Sequence, residues 1–269
     1  MDLARCSLNS ITVRSLDLPN LISEAVQRGV GAIAPWRDLI EPHGAEKAGR
    51  MIGEAGLGVS SLCRGGMFTG DSAKARLAAV EDNRRAIAEA HAVGARTLVL
   101  VCGPIVGNDI AGSRAMVRDG IEAVLEDAQQ AGISLGIEPL HPMMAADRSV
   151  ITSLREANEL RAAIDHDSVG VVIDAYHVWW EHDLEHQIAA ASGRILGFHV
   201  SDWVLPINGQ CSSRGMPGDG CIDLPGMRRM VEAARYGGFV EVEVLSDRWW
   251  AEEPDLVLTQ ACDRFQSAV

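Results

Sequence analysis

Four side chains able to hold a metal recur at equivalent places along the second half of the chain. Glu138 closes the β-rich run ISLGIE and Asp174 closes VGVVID; His199 stands one residue from the end of ILGFHV, and Glu243 stands near the end of FVEVEV. Taken singly, each has a bland reading. An acid at a strand end commonly caps a loop, and a histidine in an apolar run is commonly a satisfied core residue. Recurrence in four consecutive units is far harder to assign to chance. Three carboxylates sharing one pocket raise one another's pKa, and burying any of them is costly without a partner. A divalent cation removes both penalties. Three oxygen donors and one imidazole form a moderately hard set suited to Mn²⁺, Mg²⁺, Co²⁺ or Zn²⁺, and Mn²⁺ is the expected ion. Glu241 points the same way as Glu243, because strand side chains alternate. It reads either as one layer deeper or, should the strand end earlier, as the ligand itself.

These residues need a scaffold that brings strand ends to one rim. The chain repeats one pattern: a helical stretch, a glycine-containing stop, then a short β-rich run. Examples are QRGVGAIAP, GEAGLGVSSL, AVGARTLVLV, QAGISLGIE, DSVGVVID, SGRILGFHV and YGGFVEVEV. Glycine suits the left-handed position that closes a helix, and the runs that follow are about five or six residues of mainly Val, Ile and Leu, as in buried parallel strands. With the opening run around Cys6 to Val13 they make eight. Helical spacing of apolar residues marks the segments 71–93, 113–131 and 153–164. Ser153 with Glu156 has the form of a capping box, and Pro225 suits a first helical turn. Eight strands alternating with helices predict an α/β fold, a single (β/α)8 TIM barrel spanning 1–269, with its chemistry at the C-terminal strand ends. A doubly wound sheet would carry a glycine-rich phosphate loop after the first strand, and SLNSITVRSLD has none.

The bulk properties narrow the function classes. The 269 residues carry 37 acidic against 24 basic side chains, a net charge of −13, which opposes a nucleic-acid partner. No apolar run is long enough for a membrane span, and MDLARCSLNS lacks the form of a secretory signal, so a cytoplasmic protein is expected. Six scattered cysteines form no CxxC pair and read as free thiols. All six tryptophans fall in predicted loops on the catalytic side. Flat rings there suit the C–H faces of a sugar, with Trp36 as a pocket wall, and are equally compatible with the contact of a homo-oligomer. The segment from Ser201 to Leu224, rich in Gly, Pro and Ser, is expected to cover the pocket and to order on substrate binding.

GIEPLHP, the DxxH of Asp174 to His177, FHVSD, RGMPGDGCID and EVEVLS together resemble the xylose-isomerase-like TIM-barrel superfamily, specifically its sugar phosphate isomerase/epimerase group. The resemblance runs over nearly the whole chain. It implies one divalent metal on Glu138, Asp174, His199 and Glu243, with Glu138 and Glu243 as the base–acid pair, and substrate contacts from His177 and Arg214. His141, close after Glu138, is a further candidate substrate contact, and His177 is also compatible with orienting Glu138. The implied reaction is isomerisation or epimerisation of a small keto sugar or related polyol. Carboxylates would move a proton next to the carbonyl while the metal stabilises the enediolate. The rival on the same scaffold is a lyase or dehydratase acting on a ketoinositol or an oxidised glycoside. The superfamily's DNA-repair endonuclease branch needs a larger ligand set and a DNA-facing surface, and a non-catalytic binding protein would lack the metal.

Overall fold

The computed structural model describes residues 1–269. Nine parallel segments form one sheet: β1 (Cys6–Asn9), β2 (Ala32–Ala34), β3 (Gly58–Val59), β4 (Leu62–Gly66), β5 (Thr97–Val101), β6 (Ser134–Ile137), β7 (Val169–Asp174), β8 (Ile195–Val200) and β11 (Val240–Val242). Their spatial order is β3-β2-β1-β11-β8-β7-β6-β5-β4. The two outermost pieces, β3 and β4, are consecutive in the chain. The sheet therefore curls back on itself as a TIM barrel of eight strand positions, with one strand broken at Ser60 and Ser61. Backbone contacts still cross the break, from Ser60 N–H to the Ile33 carbonyl at 3.2 Å and from Cys63 N–H to the Pro35 carbonyl at 3.4 Å. Helices wrap the outside, and one contiguous apolar core joins them to the strands. A small antiparallel pair, β9 (Asp202–Trp203) with β10 (Arg214–Gly215), stands above the rim.

The helices begin where short polar side chains can cap them. Asp17 accepts from Asn20 N–H ahead of Leu18–Gln27, Ser72 from Ala75 N–H ahead of Ala73–Val93, and Asp223 from Gly226 N–H ahead of Leu224–Ala233, with Pro225 in its first turn. Ser153 likewise caps Leu154–Ile164 by accepting from Glu156 N–H at 3.2 Å. The reciprocal half of the expected capping box is displaced by one residue: Glu156 Oε2 accepts from Thr152 N–H at 2.7 Å.

Three expected elements differ. The opening strand stops at Asn9, where the Asn9 side chain accepts from Ile11 N–H and starts a 3-10 turn over Ser10–Val13. The helix expected over 113–131 is two, Ile110–Glu122 and Leu125–Ala131, separated by Val124, whose φ and ψ leave the helical region. The third strand continues beyond GVSSL into LCRGG and ends at Gly66, where φ is +98° and a Cβ would stand 2.0 Å from the Val101 carbonyl oxygen. That glycine-rich run reads poorly as a strand because two of its five residues have no side chain to pack.

Candidate active site

Parallel register sets the rim. Asp174 is level with His199, and His199 with Glu241, so adjacent strands deliver these groups side by side. Glu138 and Glu243 each lie one residue past a strand end and stay pinned by their own amides, Glu138 N–H to the Leu100 carbonyl at 3.3 Å and Glu243 N–H to the Val200 carbonyl at 3.1 Å. One oxygen of Asp174 accepts from Tyr176 N–H at 2.9 Å and starts a short helical turn, which leaves the other facing the pocket. Glu138, Asp174, His199 and Glu243 are all buried, and one candidate donor atom from each lies within 4.8 Å of all the others.

The electrostatics of this cluster suit a cation. Glu138 Oε1 and both ring nitrogens of His199 are buried without a hydrogen-bond partner. Burial pushes the Glu138 carboxyl up to about 7, against the lowering effect of His199. Burial alone would depress the His199 imidazolium, yet the surrounding carboxylates Glu241, Glu138 and Glu243 outweigh it and hold it well above its ordinary value. Burial would likewise raise Asp174, but Arg214, His177 and His199 together hold it below the usual carboxylate range. Four buried carboxylates, Glu241 included, share this region with two buried cationic groups, the Arg214 guanidinium and the His199 imidazolium. The donor set therefore fits a divalent ion by atom type, by proximity and by charge.

Glu241 takes the deeper of its two expected positions. Its Oε1 accepts from Asn9 Nδ2 at 2.6 Å, and its Oε2 accepts from Ser60 Oγ at 2.9 Å and Ser61 Oγ at 3.0 Å. The Asn9 amide also donates to Glu243 Oε1 at 3.1 Å. None of Asn9, Ser60 or Ser61 stands out in the sequence. The available signal was positional, since Asn9 ends β1 as Asp174 ends β7.

Arg214, brought down by the β9–β10 pair, is 5% exposed. Its Nη1 donates to Asp174 Oδ2 at 2.7 Å and to Glu243 Oε2 at 3.2 Å, and its guanidinium lies over the Tyr176 ring. His177 is buried beside it, with its imidazolium depressed to about 3 chiefly by burial. The ring is therefore neutral and has a single lone pair. Its Nδ1 lies 3.2 Å from His141 N–H and its Nε2 lies 3.1 Å from Arg214 Nη2, two donors for one acceptor. One lone pair cannot accept both, so only one of the two contacts is a hydrogen bond.

His177, Arg214, Glu138 and Glu243 line one pocket, with Trp36, Val101, Leu140, Met144 and Leu245 as its apolar wall. Arg64 and Arg148 also border it, and neither stands out in the sequence. His141 is not among the lining residues. Its ring packs against Trp180 and Trp203, with centroids 5.5 and 5.1 Å away, and its amide supports His177. Trp203 also packs on Tyr176 and Trp179. The segment after β8 is tied down by Asp202, which accepts from Gly218 and Ile222 N–H, and it contributes Cys211 and Arg214 to the pocket. No helix is long and apolar enough to cross a membrane.

A parallel eight-position barrel with a buried acid–histidine cluster at its C-terminal rim defines a TIM barrel with a metal-competent mouth. The chain belongs to the xylose isomerase-like TIM barrel family, whose sequence model matches residues 22–267. Among relatives, SgbU of Escherichia coli K12, provisionally named an L-ribulose-5-phosphate 3-epimerase, is 26% identical over 219 residues, covering 77% of this chain and 73% of its own. A 3-dehydroshikimate dehydratase of Pseudomonas putida is 27% identical over 161 residues, which cover 56% of this chain and 24% of that enzyme. Among solved structures, a Sinorhizobium meliloti 1021 protein superposes with a TM-score of 0.96 at 42% identity over 99% of both chains. The IolI protein with a bound zinc atom gives 0.86 at 16% identity over 98% of both.

Proposed function

We propose that this protein is a divalent-metal-dependent isomerase or epimerase of a keto sugar or related polyol. The observation that carries the reading is the convergence of Glu138, Asp174, His199 and Glu243, with donor atoms within 4.8 Å of one another. A divalent cation held by those four would supply Lewis acidity toward a carbonyl and toward the enediolate charge that develops beside it. Mn²⁺ is the favoured ion, and the zinc bound by IolI makes Zn²⁺ the first alternative to test.

The remaining chemistry falls to the chain. A base needs a lone pair free to take the proton, and Glu138 keeps Oε1 without a hydrogen-bond partner. Both oxygens of Glu243 already accept hydrogen bonds, from Asn9 and from Arg214. Glu138 is therefore assigned the first proton abstraction and Glu243 its return at another face or carbon. Arg214 and His177 bind substrate oxygens, and Trp36 supplies an apolar wall for C–H faces. His141 acts through His177 by fixing one of its ring nitrogens. The epimerase name of SgbU agrees with this assignment, and the dehydratase relative keeps elimination as the rival outcome.

The test is a panel of ketoses and ketose phosphates in D₂O, read by NMR on protein reconstituted with Mn²⁺ or Zn²⁺. Deuterium should enter at the carbon next to the carbonyl, and the exchange should stop on chelation. Loss of water or another leaving group would replace the isomerase reading with the lyase. Metal-loaded protein that exchanges no proton of any panel member would overturn both.

A further inference from the structure

Glu241 lies directly beneath the proposed ligands, at the break in the barrel wall. We infer that Glu241 is a positioning residue that holds the Nε2–H of His199, so that Nδ1 is the nitrogen offered to the cation. This rests on the metal reading above and adds to it the internal device that makes the histidine a ligand.

A neutral imidazole carries one N–H and one lone pair, and a ligand nitrogen must present the lone pair. The two nitrogens of His199 look in different directions. Nδ1 faces the mouth, 3.2 Å from Glu138 Oε1 and 3.7 Å from Glu243 Oε2. Nε2 faces inward and makes no hydrogen bond in the metal-free protein; the carboxylate beside it is Glu241, with Oε2 3.5 Å away. A proton on Nδ1 would point into the donor set and close it to a cation. A proton on Nε2 points at a carboxylate that cannot leave. Glu241 is held by three side chains: Asn9 on Oε1, Ser60 and Ser61 on Oε2. Asn9 is fixed in turn, because Ile11 N–H donates to its Oδ1 at 3.0 Å and so sets which end of the amide donates. The two serines are the residues at which the barrel strand breaks between β3 and β4. That irregularity is where both hydroxyls turn onto one carboxylate. Glu241 and His199 are each 2% exposed, so water does not compete for Nε2. A carboxylate behind a ligating imidazole fixes its tautomer and increases its basicity. The Asn9 amide, shared between Glu241 and Glu243, ties this anchor to a second ligand.

Two measurements test the inference. On wild-type protein loaded with Zn²⁺, ¹⁵N NMR of the histidine rings should show His199 coordinated through Nδ1 with a proton on Nε2. In Glu241→Gln, which keeps size and shape, the dissociation constants for Mn²⁺ and Zn²⁺ should rise by about 10- to 100-fold. A buried acid with a purely structural role would leave both the tautomer and the affinity unmoved. Coordination through Nε2 in the wild type overturns the inference even if the variant fails to fold. A folded Glu241→Gln protein with unchanged affinity overturns it as well. Wild-type protein that takes up neither ion overturns the metal reading itself, a result distinguishable from failure of the Glu241 assignment alone.

Discussion

Glu241 and Glu243 sit two residues apart on neighbouring layers of the same barrel wall, yet their layers are built on opposite terms. In the lower layer every oxygen of Glu241 is matched by a donor from Asn9, Ser60 or Ser61. In the upper layer Glu138 Oε1 and the His199 nitrogens have no hydrogen-bond partner, and Glu138 is raised to about 7. A buried carboxylate with donors on both oxygens is fixed in charge and place, whereas an under-partnered one is poised to exchange a proton or take a cation. The contrast teaches that this barrel stacks its chemistry on top of its scaffolding. Substitutions in the two layers should therefore separate function from stability.

The largest separation is expected at Glu138. Glu138→Gln removes the proposed base, so turnover should fall by about 10²- to 10⁴-fold. It also removes a charge from a crowded mouth, so the melting temperature of chelator-treated protein should not drop. A variant that loses activity only because it unfolds would erase the distinction between the layers. Next comes Arg214, the one guanidinium shared by Asp174 and Glu243. Arg214→Met leaves those carboxylates without their partner and should cost about 3–5 kcal/mol in the metal-free protein. Added Mn²⁺ should recover part of that loss, so the gain in melting temperature on metal loading should exceed that of the wild type. Equal gains would show that guanidinium and cation do not answer to the same charges. In the lower layer, Asn9→Ala withdraws one donor from Glu241 and one from Glu243, and should cost about 2–3 kcal/mol by denaturant titration of the same metal-free protein. A cost that appears only in turnover would place Asn9 in the upper layer instead.

The two layers were unequally legible in the sequence. The upper ligands could be read because each is an ionisable group at the end of an apolar run, and such residues are conspicuous against Val, Ile and Leu. The barrel was legible for the same reason, since glycine stops mark the start of most strands. Ser60, Ser61 and Asn9 were not, because their hydroxyls and amide gain meaning only from a carboxylate some 180 or more positions away. Arg64 escaped because the glycines around it hide a strand, so nothing placed it at the rim. His141 lies near the site without lining its pocket. Its spacing from Glu138 put it near the site, but Pro142 starts a 3-10 turn that carries the ring into the Trp180 and Trp203 stack. The expected ordering of the segment after β8 on substrate binding remains a matter for limited proteolysis. Leu205, 81% exposed, marks the cleavage region whose protection should increase when substrate is bound.

A third carboxylate falls between the two extremes and gives the smallest, most local test of the comparison. Glu181 is buried outside the metal cluster, and its Oε1 accepts from Leu154 N–H at 2.7 Å. Burial pushes it up to about 7, with the Leu154 and Arg155 amides opposing and the Asp183 and Glu156 charges adding to the rise. Its folded pKa thus exceeds its unfolded one, near 4.5. Below the unfolded value both states are protonated and the group costs nothing. As pH climbs through the window the unfolded chain releases the proton first, so stability falls until both forms are ionised above about pH 7. Glu181→Gln keeps an acceptor for the Leu154 amide and has nothing to release. Relative to wild type it should gain about 1–2 kcal/mol between pH 4.5 and 7.5, an amount reduced because solvent reaches part of the group. Glu138 titrates in the same window in both proteins, so its contribution cancels in the difference. Parallel stability curves for the two proteins would mean that backbone donors from Leu154 and Arg155 are enough to fix a buried glutamate, and the distinction drawn between Glu241 and Glu138 would lose its physical basis.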